Sequence, residues 1–182
     1  WEFLEKTETG YRATQIGRRV AELYLDPLTA NHLIKGIKRA EGKQLKATSF
    51  LQLISHTIEM YPLLRVKNKE FSDIQAAQLK MESHLLDEEP SMFDIEYEDW
   101  LNSIKTTLLF CAWIEETTED IILEQFNVRP GELHGKNQVA IWLLYSMSEL
   151  ASLLGERELV KEIYKIRTRV QNGVKEELLP LL

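Results

Sequence analysis

Apolar residues along most of this chain recur every three or four positions, the spacing that lines one face of an α-helix. Only the beginning departs from that rhythm. Residues 1–6 (starting at Trp1) and 10–13 carry strand-like content on either side of a polar tip, Thr7-Glu8-Thr9-Gly10. Thr14 is then placed to cap a short helix, TQIGRRVAELYL, with Ile16, Val20, Leu23 and Tyr24 at helical spacing. Two strands around a polar tip, then a helix, is how a winged-helix domain finishes. A piece this small has no core of its own and must pack on other chain. Residues 1–25 are therefore read as the C-terminal part of a winged-helix domain, and 26–182 as a helical domain.

Asp26-Pro27 opens that domain, Asp as the cap and Pro as the first helical residue. The pattern predicts a helix from there to about Glu41, ended by Gly42, and another over Thr48 to Thr57 that stops before Pro62. A third covers Lys69 to Leu86 and is broken by the loop around Pro90. A long helix over Glu96 to Glu115 repeats Trp100, Ile104, Leu108, Cys111 and Ala112 on its apolar side. Thr117 or Thr118 caps a short helix to Phe126, and Pro130-Gly131 opens one that reaches Leu154 before Gly155. Glu156 to Gln171 and a short terminal piece, Val174 to Leu179, complete the set. The expected fold class is all-α, a bundle of about seven helices with short loops, preceded by a small β-hairpin and helix.

Composition narrows the function classes. With 44% hydrophobic and 28% charged residues in 182, the chain has material for one sizeable core. Apolar runs stay short, such as Val139 to Tyr145, so no segment is read as spanning a membrane. A start at Trp1, with no signal-peptide pattern, reads as a fragment. One cysteine excludes a disulfide scaffold and points to a reducing, cytoplasmic compartment. Four scattered histidines without cysteine partners argue against a zinc site, and no metal ligands are assigned. Cys111 lies in a helical apolar pattern and reads as a structural thiol. Phosphate-loop, dinucleotide and nucleophile-elbow motifs are all missing, so no catalytic residue and no cofactor is assigned to this chain.

The net charge of −7 conceals an uneven distribution. Residues 1–69 hold 12 basic and 7 acidic side chains, residues 70–126 hold 2 and 15, and residues 127–182 hold 8 and 7. The middle block, with Asp87, Glu88, Glu89, Asp94, Glu96, Glu98 and Asp99, reads as a solvated acidic loop. Nucleic acid remains compatible with the flanking regions if that block faces away.

Two helices have outward faces that a plain bundle does not need. At about 100° per residue, Leu133, Ala140, Leu144, Met147 and Ala151 form the core stripe of the helix over 131–154. Trp142 falls almost opposite, among Gly135, Gln138, Ser146 and Glu149. Either another helix covers this indole or it is a stacking platform for a base, with Gln138 one turn before it and Lys136 and His134 near the amino end. On the next helix Leu159, Ile163, Ile166 and Val170 form the core stripe, and Arg157, Lys161, Lys165 and Arg169 recur at four-residue spacing opposite. Such a ridge is either a solvated face or a phosphate-binding one, where bound backbone relieves its self-repulsion.

The runs YRATQIGRRVAELYLDPLTA, FLQLISHTIEMYPL, LLFCAWIEE, NVRPGEL, IWLLYSMSELASLLG and RVQNGVKEELLPLL together resemble the archaeal superfamily-two DNA helicases of the Hjm/HelQ type. The resemblance covers nearly the whole chain. It implies the end of a winged helix followed by a helical ratchet domain. Two motor domains carrying ATP and Mg²⁺ would lie upstream and a helix-hairpin-helix domain downstream. It further implies a single-stranded-DNA-binding module of an ATP-dependent 3′-to-5′ helicase in replication-fork repair and recombination, monomeric, with Trp142 stacking on a base. The family's Arg, two turns before that Trp, falls on Gly135. A rival from another class is a helical protein-interaction scaffold without nucleic-acid contact. A winged-helix regulator with a helical dimerisation domain is a third.

Overall fold

The computed structural model describes residues 2–182; Trp1, which the sequence pattern assigns to the first strand, lies outside them. Strands β1 (Leu4–Thr7) and β2 (Gly10–Ala13) pair antiparallel around the polar tip, with Leu4 opposite Ala13 and Thr7 opposite Gly10. Thr14 caps α1 (Gln15–Glu22) by accepting from the Gly17 amide at 3.0 Å. Asp26 caps α2 (Pro27–Arg39) by accepting from the Leu28 amide at 2.8 Å, with Pro27 at the first helical position.

The bundle continues with α3 (Ala47–Ser55), α4 (Phe71–Met81), α5 (Tyr97–Ile114), α6 (Glu119–Phe126), α7 (Pro130–Leu153) and α8 (Arg157–Asn172). Helices α2 to α8 are the seven expected, behind the expected hairpin and α1. Two stretches differ from the sequence pattern. The helix expected over 69–86 is interrupted: α4 ends at Met81, and a 3-10 turn over Glu82–His84 tucks His84 against Thr48. The terminal piece is a 3-10 segment over Glu176–Leu181.

Helix α5 is buried nearly all round, although it carries Asn102, Ser103, Lys105, Thr106 and Thr107. Those groups are all satisfied. Thr107 donates back to the Ser103 carbonyl, while Thr106 accepts from the Leu64 amide at 3.0 Å and Asn102 from the Val66 amide at 2.8 Å. Lys105 donates to the Arg65 carbonyl and pairs with Glu70 at 2.7 Å. The polar side of α5 therefore pins the extended segment over 63–67, the partners a buried polar group requires. The main core joins α1, α2, α3, α5, α6, α7 and α8. A smaller cluster of Ile74, Met81, Leu85, Trp100, Leu101 and Ile104 seats α4 on α5.

Two predictions follow from this packing. His84 is buried, 2.6 Å from the Thr48 hydroxyl, and burial, then Lys46 and Lys43, lower its pKa. The unfolded chain then binds this proton more readily, so His84 contributes stability above about pH 6.5 that is lost as pH falls through its lower folded value. The thermal midpoint is expected to drop between about pH 7 and pH 5, with a shallower drop in His84→Gln. Gly135 lies inside α7, and a Cβ there meets nothing within 4 Å. Gly135→Ala is expected to stabilise the chain by about 0.5–1 kcal/mol, raising the melting temperature by about 2 °C in calorimetry.

Candidate nucleic-acid interface

Helix α7 is packed by α2, α3 and α8 along most of its length, with α1 and α6 against its two ends. Its predicted core stripe, Leu133, Ala140, Leu144, Met147 and Ala151, is wholly buried. On the far side His134, Gly135 and Gln138 are exposed, and Trp142 is half-buried. The indole is anchored: Trp142 Nε1 donates to the carbonyl of Leu23, the C-cap of α1, at 3.2 Å. One turn later Arg19 of α1 bonds the Tyr145 hydroxyl at 3.3 Å and forms an ion pair with Glu149. Helix α1 therefore covers the carboxyl half of this face and leaves the amino half bare. Ser146, expected on the open side, is buried.

His134 and Gln138 border a cleft of about 490 Å³ that α7 shares with Trp113 of α5 and with Val170 and Gln171 of α8. Trp113 donates to the Val170 carbonyl at 2.7 Å, which holds that wall in place. Asn137 lines the same cleft at 6% exposure, and its Oδ1 has no hydrogen-bond partner among the described residues.

Lys136 is not on this surface. One residue beyond Gly135 is a 100° turn, which carries Lys136 to the flank facing the 58–62 segment. It is 6% exposed and donates to the carbonyls of Met60, at 3.3 Å, and Pro62. Burial lowers its pKa. Its ammonium serves the fold, and it is withdrawn from the nucleic-acid contacts expected of it.

The basic ridge of α8 is also incomplete. A four-residue step advances 400°, so successive members drift by about 40° and the ridge winds round the helix. Arg157, Lys161 and Lys165 stay in solvent. Arg169, about 120° further round than Arg157, is 4% exposed and binds Glu115 at 2.6 Å and the Ile114 and Val174 carbonyls. Nor are the lysines mutually repelling, since Lys161 pairs with Glu158 at 2.7 Å and Lys165 with Glu162 at 2.8 Å. The cation that α8 turns towards α7 is Arg167, 5.2 Å above the Tyr145 ring. Lys165 lies about 160° away from it around the axis, so the far end of the ridge and Trp142 are not on one side. Arg19, Tyr145 and Arg167 carried no signal beyond ordinary helical spacing, because their pairing depends on how α1 and α8 dock.

Cys111 behaves as a structural thiol: burial, then Glu115, pushes it up to about 12, so it stays protonated. No helix among the described residues is long and apolar enough to cross a membrane.

Comparison with known proteins supplies the family. Residues 48–173 match the family described as "Archaeal helicase, domain 4". Across 99% of its length the chain is 36% identical to the ATP-dependent DNA helicase Hel308 of Methanocaldococcus jannaschii, and it spans 14% of that protein. It is 33% identical over its whole length to Hel308 of Pyrococcus horikoshii, spanning 25% of that protein, and 32% identical to that of Thermococcus kodakarensis, spanning 16%. The chain thus covers a quarter or less of these relatives. With the family match extending from α3 to the glycine that ends α8, this chain belongs to the archaeal helicase domain 4 family.

Proposed function

We propose that residues 26–182 are the ratchet domain of an ATP-dependent 3′-to-5′ DNA helicase, gripping the single strand during replication-fork repair and recombination, and that residues 1–25 end its winged-helix domain. ATP and Mg²⁺ belong to motor domains elsewhere in the parent protein, and a helix-hairpin-helix domain follows in cis. The protein acts as a cytoplasmic monomer.

The observation that carries this reading is Trp142, partly buried against the main core and held by its N–H on the Leu23 carbonyl, at the end of the bare strip His134–Gly135–Gln138. Fixing the indole at one edge sets the plane of the ring before a base arrives, which lowers the ordering cost of stacking. Gln138 offers an amide to a base or sugar, and His134 and Asn137 line the adjoining cleft. Arg157, Lys161 and Lys165 supply attraction at longer range. Their exposed ion pairs are individually weak, about 0–1 kcal/mol, and exchange readily for phosphate. None of these groups reads base identity, so binding is indifferent to sequence. As the motor domains advance the strand, each base leaves the indole and the next replaces it, and stacking opposes back-slipping.

A specific observation favours the protein-scaffold alternative: Phe93 and Ile95, both 91% exposed, lie with Met92 beside a cleft of about 1020 Å³ between the 65–71 segment and the start of α5. Salt separates the two readings. Phosphate binding weakens steeply with ionic strength, whereas apolar docking does not.

Fluorescence anisotropy of labelled oligo-dT at low salt tests the proposal. Trp142→Ala is expected to lower affinity by about 5- to 150-fold, the equivalent of ~1–3 kcal/mol per stacked base. Equal affinity for both proteins refutes the stacking role. The open space at Gly135 admits a longer side chain. Gly135→Arg is expected to tighten binding and to steepen the slope of log K against log salt by about 0.7, one additional phosphate contact on a single strand.

A further inference from the structure

Away from the α7 strip, the fold assembles a cluster that sequence spacing conceals. His32 lies within α2, His56 is the C-cap of α3, and Asp87 follows the 3-10 turn that interrupts the expected third helix. Their nitrogen and oxygen atoms all lie within 4.8 Å of one another. His56 Nδ1 is 2.5 Å from Asp87 Oδ2, and His32 Nδ1 is 3.8 Å from Asp87 Oδ1. The sequence assigned Asp87 to a solvated acidic loop; its side chain is only 9% exposed.

The tautomer of His32 follows from its other nitrogen. Nε2 sits 2.9 Å from the Leu53 carbonyl, and a carbonyl only accepts, so Nε2 carries the proton. A neutral imidazole carries only that one proton. Nδ1 is therefore a bare lone pair turned towards a carboxylate oxygen. Two acceptors in that relation repel each other unless a cation lies between them. A ring N–H given to a backbone carbonyl is also the outer partner that metal-bound histidines use.

A second feature points the same way. Gln52, fully buried, lays its amide against the cluster, with Nε2 3.4 Å from Asp87 Oδ2 and 3.3 Å from Ser103 Oγ. Its Oε1 has no hydrogen-bond partner among the described residues. A metal-bound water is a donor that would satisfy it.

We propose that His32, His56 and Asp87 bind a divalent transition metal of the zinc class, with a water held by Gln52 in the fourth position. Two imidazoles and one carboxylate suit zinc and its neighbours better than magnesium or calcium. Ligand atoms around tetrahedral zinc stand about 3.4 Å apart, so the three candidate atoms, all within 4.8 Å of one another, need only local adjustment, and the 2.5 Å contact of His56 with Asp87 opens by about 0.9 Å to admit the ion. Binding at Nδ1 moves the single proton of a neutral His56 ring to Nε2, which frees the Nδ1 lone pair for the ion, and because protons compete with metals for imidazole nitrogens, affinity falls at acid pH. The ion would rivet α2, α3 and the start of the acidic segment, where Arg39 already holds Glu88 at 2.7 Å.

Titration of the 182-residue chain with Zn²⁺ by calorimetry, and with Co²⁺ by visible absorption, tests the site. One equivalent of Zn²⁺ is expected to bind at about 1 μM or tighter, and Co²⁺ to give the intense band of a four-coordinate centre. Asp87→Asn and His56→Ala should each weaken Zn²⁺ binding by tenfold or more, and Gln52→Leu by about tenfold. Binding weaker than about 100 μM, a six-coordinate cobalt spectrum, or unchanged binding in Asp87→Asn and His56→Ala overturns the proposal. If those variants fail to fold, the wild-type titration and its cobalt spectrum still decide.

Discussion

Confinement of α7 is the constraint on which the candidate site rests. A 24-residue helix with its core stripe buried and its flanks occupied by neighbours has one strip left to offer. Where α1 crosses that strip, the side chains are committed to one another: Arg19 to Tyr145 and Glu149, Trp142 to Leu23. Where α1 ends, Gly135 and Gln138 are bare. Trp142 stands at the border, fixed at its N–H edge and open beside it. An indole free on all sides would be a looser platform, and a fully covered one would be a core residue.

The fold was legible because it rests on local signals. Asp26-Pro27, Thr14 and the glycines at 155 and 173 mark helix ends through capping chemistry, and the 3.6-residue period locates the core stripes of α7 and α8. Legibility ended where docking decides the outcome. Lys136 and Arg169 read as surface cations because nothing in the pattern says which polar flank meets another segment; the carbonyls of Met60, Pro62 and Ile114 come from elsewhere in the chain. Trp142 lies off the core stripe yet packs partly buried against the main core, and its cover by α1 depends on a contact 119 residues distant in sequence. The proximity of two histidines is hidden from sequence for the same reason. His32 and His56 sit on different helices, and Asp87 reaches them only because the chain turns at Glu82–His84.

Buried polar groups do two kinds of work in this molecule. Along α5 the side chains of Asn102, Ser103, Lys105, Thr106 and Thr107 are paired, and several of them hold an extended segment that has no sheet to join. At Asn137 and Gln52 one acceptor each is left over. Trp100 Nε1, Ser146 Oγ and Arg167 Nε are likewise buried without a partner among the described residues, so such an atom points to a ligand only where other groups converge beside it. Asn137 lines the cleft beside Gln138, and the Gln52 amide places its Nε2 3.4 Å from Asp87 Oδ2.

The grip of α7 on α1 has a mechanical consequence. The hairpin at residues 4–13 leads straight into α1, and the Thr14 amide donates to the Phe3 carbonyl, so hairpin and helix move as one body. That body touches α7 through Leu23 and Arg19, at the indole and one to two turns beyond it. A torque applied to the hairpin by a neighbouring domain is thus delivered to the tilt of a single aromatic plane, with a two-turn helix of about 12 Å as the lever arm.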